Sequence, residues 1–107
     1  MASNVHLVEL YLPVFGMDGR RISSRCFNEV RRELVEKFGG LTAHLRAPAT
    51  GLWKPGPGHA PERDVVVIYE VMVATLERRW WRTYRAKLES RFRQESILIH
   101  SSPVRLL

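Results

Sequence analysis

The sequence predicts an α+β fold, a four-stranded antiparallel sheet with two helices packed on one of its faces. Three observations lead there. Four segments carry the apolar pattern of strands, two longer segments carry apolar residues at helical spacing, and they follow the order β-α-β-β-α-β. The chain has 107 residues, which suits one domain spanning 1–107.

Val5 to Val14 reads as the first strand, rich in Val, Leu and Tyr and closed by Pro13 and the turn residues Gly16 to Gly19. Ser23 to Phe38 reads as the first helix. Ser23 is the expected N-cap, Ile22 and Phe27 are placed for a hydrophobic staple, and Phe27, Val30, Leu34 and Phe38 make one apolar stripe. Gly39-Gly40 supplies a left-handed stop. Leu41 to Ala47 alternates as a half-buried strand, and Asp64 to Val73 is apolar enough for a central strand covered on both faces. Between them, 48–63 is a long loop holding four of the six prolines and three of the seven glycines. A second helix starts near Thr75 and runs to about Gln94, with Trp81, Tyr84, Leu88 and Phe92 as its stripe. Ser96 to His100 reads as a short last strand before Pro103. This order is the split-βαβ, or ferredoxin-like, arrangement, and right-handed crossovers put the first and third strands in the centre.

Two helices cover one face only, so the other face matters. Alternation assigns it Leu7, Glu9, Tyr11, Thr42, His44, Arg46, Val66, Ile68, Glu70, Met72, Leu98 and His100. An exposed apolar patch of that extent calls for a cover, and a second copy is the simplest one. The expectation is a homodimer paired through open sheet faces. Glu9, Tyr11, His44, Arg46, Glu70 and His100, with Trp53 from the loop, are the candidate residues for a small anionic ligand between the sheets. The same groups would serve equally as interface ion pairs, which covered charges need.

The chain is basic, with 17 Lys plus Arg against 11 Asp plus Glu and a net charge of +6. Fourteen of the cations are Arg, whose planar fork suits phosphate and carboxylate. The second helix concentrates them. Arg78, Arg82, Arg85 and Arg93 lie on the side away from Tyr84 and Leu88, which makes nucleic acid or an acidic partner the alternative. A sheet that reads RNA would show stacking aromatics on its open face, and only Tyr11 qualifies, so nucleic acid is not favoured.

Other chemistry is sparse. His6, His44, His59 and His100 lack metal-ligand spacing, and the single Cys26 excludes an internal disulfide. Cys26 falls in the first turn of a helix, where a packed thiol is the ordinary outcome. No nucleophile elbow, phosphate-binding loop or dinucleotide turn is present, so no catalytic residue, metal or cofactor is assigned. The start Met1 to His6 has neither a charged region nor a continuous apolar run, and no segment is long enough to span a membrane. The expectation is a cytoplasmic protein.

Phe15-Gly16, Asp18-Gly19, the junction Phe38-Gly39-Gly40-Leu41-Thr42, Gly51-Leu52-Trp53 and Glu62-Arg63 before Val65 to Ile68 form a recognisable set. On these residues the stretch from Phe15 to His100 resembles a small bacterial family of unknown function with the same element order. The order is also similar to that of dimeric α+β-barrel proteins, whose ferredoxin-like subunits pair through their sheets. That resemblance implies a homodimer and, as a further alternative, a small degradative or isomerising enzyme with Glu70 or His44 in its pocket. Neither resemblance supplies catalytic residues.

Overall fold

A computed structural model of the chain describes residues 4–46 and 65–107, with Arg46 described through its backbone alone. The 48–63 stretch and Trp53 therefore lie outside the described residues. The elements are β1 (Asn4–Pro13), α1 (Ser24–Phe38), β2 (Thr42–Arg46), β3 (Val66–Val73), α2 (Arg78–Arg91) and β4 (Ile99–Arg105). They form one antiparallel sheet in the order β2-β3-β1-β4, the ferredoxin-like topology, with β1 and β3 central.

Local chemistry sets the first helix. The Ser23 hydroxyl accepts the Arg25 N–H at 3.1 Å, and Gly39 ends the helix in the left-handed region at φ 85°. Alternation then sends Val8, Leu10 and Leu12 of β1 and Tyr69, Val71 and Val73 of β3 to one face. There they meet Val30 and Leu34 of α1 and Trp81, Tyr84 and Leu88 of α2 in one core. Both helices thus lie on the same side of the sheet. Phe38 stacks on Trp81 at 5.3 Å, and Phe27 meets Phe92 edge-on at 5.1 Å, so aromatic contacts join the two helices at both ends.

Two boundaries differ from the sequence expectation. The second helix spans Arg78–Arg91 rather than 75–94, because Arg93 turns into the left-handed region at φ 53°. Few L side chains adopt that conformation without support. Here the Arg93 carbonyl accepts the Met17 N–H at 3.0 Å, and its guanidinium donates to Asp18 Oδ2 at 2.9 Å and to the Arg20 carbonyl at 3.1 Å. The last strand also differs. It begins at Ile99 and runs through Pro103, which pairs with His6 in register. Proline is tolerated there because β4 is an edge strand with one side free of ladder bonds. Ile97, expected in that strand, instead plugs the core just ahead of it, its N–H donated to the Glu89 carboxylate at 3.0 Å. On β2, Leu45 stands opposite Val67 on the helix side, as alternation expects, and is 74% exposed at the end of the other edge strand.

Candidate functional site

The register assembles a polar row across the sheet face opposite the helices. Glu9 of β1 stands directly opposite Glu70 of β3 on one side and His100 of β4 on the other. Thr42 of β2 faces Glu70, and His44, two residues on, reaches diagonally to it. The His44 Nε2 lies 2.7 Å from Glu70 Oε1, a distance at which the ring nitrogen donates and the carboxylate accepts. At the other end, His100 Nε2 is 3.3 Å from Tyr11 Oη and 3.9 Å from Glu9 Oε1, with the two rings tilted at 5.3 Å. The row runs imidazole, carboxylate, carboxylate, imidazole.

Apolar residues border it on both sides. Leu7 pairs with Met72 one step along the strands, and Tyr11 pairs with Ile68 one step the other way. Met72 is 53% exposed and Leu98 is 56% exposed. Ile68 is buried yet stands apart from the core cluster on the helix side. Five sequence-predicted residues, Glu9, Tyr11, His44, Glu70 and His100, therefore come together. Arg46 holds the expected register position opposite Val66. Trp53 lies outside the described residues.

The row has a defined electrostatic character. Carboxylates directly opposite on neighbouring strands repel, and each here has an imidazole on its outer side, 2.7 Å away for Glu70 and 3.9 Å away for Glu9. Such a pair of carboxylates favours ligand groups that donate hydrogen bonds and opposes an anion. Among the described residues, no group of three or more His, Cys, Asp and Glu is placed to hold a metal ion.

The arginines of α2 have divided roles. Arg91 forms a fork on Glu33, with Nη1 2.8 Å from Oε1 and Nη2 3.0 Å from Oε2, and Tyr84 donates its hydroxyl to Oε1 at 2.8 Å. The Arg91 bonds hold the Glu33 carboxyl below its ordinary range against the opposing effect of burial, with Tyr84 adding to the lowering. Burial, and then the neighbouring carboxylate, push the Tyr84 phenol well up. Arg93, expected with the anion-binding set, lies beyond the helix and forks onto Asp18. The backbone N–H of Arg20, followed by Arg93, lowers the Asp18 carboxyl. Arg85 shares Glu89 at 3.8 Å, whereas Arg78 and Arg82 have no ion-pair partner among the described residues.

The Glu33 cluster escapes sequence reasoning, since Glu33 and Arg91 sit on different helices and carry no motif. Its only signal is polar side chains beside two apolar stripes. No protein-family model matches the chain, and no curated protein matches it either. No helix among the described residues is long and apolar enough to cross a membrane.

Proposed function

We propose that this chain acts as a homodimer in which the two sheet faces opposite the helices meet and hold a small ligand between them. One observation carries the reading: a row of four ionisable side chains crosses the middle of a face whose borders are apolar. Burying that row dry against a second copy would leave carboxylates desolvated at a cost of several kcal/mol each. The apolar borders gain from contact and the centre does not, so pairing favours a closed rim around a wet central pocket. Glu9, Tyr11, His44, Glu70 and His100 line that pocket. Its ligand carries hydroxyl or amine donors for the two carboxylates. A single unpaired thiol, Cys26, fits a reducing cytoplasm.

A second reading has one specific support. His44 hydrogen-bonded to Glu70 is the arrangement of a general base held by a carboxylate, as in a small enzyme of the dimeric α+β-barrel type. Such an enzyme needs the pocket first.

Sedimentation at micromolar concentration tests the dimer. The expected species is twice the monomer mass, and Met72→Glu, a change at a half-exposed position, is expected to give a folded monomer. A monomeric wild-type chain overturns the proposal. Ligand placement is tested by thermal shift against small polyols and amines, repeated with Glu70→Gln and His44→Ala. A compound whose stabilisation survives both substitutions binds elsewhere, and that outcome refutes the pocket.

A further inference from the structure

On the helix side of the sheet, α2 and β4 border an open surface cleft of about 240 Å³. Arg78, Arg82 and Arg85 line one wall, and Val8, Trp81 and Ile99 contribute apolar surface. The spacing explains the convergence: positions i, i+4 and i+7 fall on one side of a helix, over about 10 Å of its length. We propose that this cleft binds the phosphate group of a small phosphomonoester. It opens on the side that carries the helices and shares one residue, His100 of β4, with the ligand pocket proposed above.

Three observations support the assignment. Arg78 and Arg82 are exposed and have no ion-pair partner among the described residues, unlike Arg91 and Arg93, which are held by carboxylates. The charges also match. Three guanidinium groups less the Glu89 carboxylate shared by Arg85 leave two positive charges, and a phosphomonoester carries between about −1.5 and −2 near neutral pH. Finally, the size is small. Pockets for drug-sized ligands run from about 300 Å³ upward, so this one takes a phosphate with a short apolar group on Val8 and Ile99.

The sequence alone reads these arginines as a helix back or a phosphate-contacting stripe. The geometry separates them: three line one recess, while Arg79 of the same helix lies outside it. An extended polyanion would use Arg79 as well as its neighbours, whereas a compact phosphate would not.

The test is titration calorimetry at pH 8 with phenyl phosphate and with inorganic phosphate, on the full chain. Phenyl phosphate is expected to bind saturably with one site per chain and more tightly than inorganic phosphate. Arg82→Ala is expected to weaken it at least tenfold, Arg82→Lys to restore part of that loss, and Arg79→Ala to leave it unchanged. Arg82 is exposed, so its substitutions leave the core intact, and circular dichroism checks this. Absence of saturable binding, or equal losses from Arg79→Ala and Arg82→Ala, overturns the proposal. So does tighter binding of a single-stranded oligonucleotide lacking terminal phosphate, because that result assigns the arginines to a nucleic-acid surface. Glu70→Gln distinguishes the two sites. It is expected to leave phenyl phosphate binding unchanged, and loss of binding in that variant would move the anion to the open face and overturn the cleft assignment.

Discussion

Glu33→Gln is the substitution that most directly tests how the two helices are held together. Glu33 of α1 takes two bonds from Arg91 and one from Tyr84, both on α2, all between 2.8 and 3.0 Å. The Arg91 side chain is 15% exposed and that of Glu33 is 25% exposed, so solvent screens the pair only in part. Glutamine keeps the volume and one acceptor but loses the charge and the fork. Hydrogen bonds to charged groups contribute about 1.5–3 kcal/mol each, roughly twice the neutral value. Arg91 retains Glu29 at 3.6 Å, which limits the loss. The expected cost is about 2 kcal/mol, or on the order of 10 °C in Tm for a domain of this size. The pH dependence follows from the direction of the Glu33 shift. Its folded pKa lies below the ordinary 4.5, so its stabilisation is complete above that value and is lost as pH falls through the folded pKa. Denaturant melts from pH 7 down to pH 2.5 should show the wild-type advantage over Glu33→Gln constant to about pH 5 and shrinking below. A difference under about 0.5 kcal/mol at pH 7 would mean the pair behaves as a screened surface contact, and the reasoning fails. So would a difference that ignores pH throughout that range.

Two further substitutions test the elements that position both candidate sites. Ser23→Ala removes the acceptor for the Arg25 N–H and is expected to cost about 1 kcal/mol by thermal melting, with Ser23→Asp restoring it. Leu88→Ala empties a fully buried position of α2 and is expected to cost about 2–5 kcal/mol in denaturant unfolding; a cost under 1 kcal/mol would contradict its place in the core.

Much of the fold is legible in the sequence because most of its elements obey one periodicity each. The stripe Trp81, Tyr84, Leu88 and Phe92 is buried throughout, and Ser23 and Gly39 cap α1 as their side chains and backbones dictate. The last strand is the exception. Ile97-Leu98-Ile99 has the composition of a strand and Pro103 looks like its end, yet pairing starts at Ile99 and passes the proline. Two tertiary facts decide this. Glu89 satisfies the Ile97 backbone from the helix, and β4 lies at an edge where a missing N–H costs nothing. Because Ser101 was expected beyond the sheet, the cleft it lines with Arg82 was not visible from the sequence. The polar row was visible, since alternation alone puts Glu9, Glu70, His44 and His100 on one face. Register supplies what alternation lacks: which carboxylate stands opposite which.

The net charge of +6 gains a different meaning once its cations are placed. Arg91 and Arg93 are committed to carboxylates, Lys87 lies 3.7 Å from Glu33, and Lys37 lies 3.3 Å from Glu77. These charges fasten elements to one another and are poorly placed to recruit a partner. Arg78 and Arg82 are among the cations with no ion-pair partner among the described residues, and they line one recess on the helix side, while the opposite face presents two carboxylates in register. On the two proposals above, an anion is held beside these arginines and is disfavoured by the carboxylate pair on the other face. Ligands that donate hydrogen bonds have the reverse preference. Bulk basicity thus makes a poor guide to binding, because several of the cations that produce it are held by carboxylates within the fold.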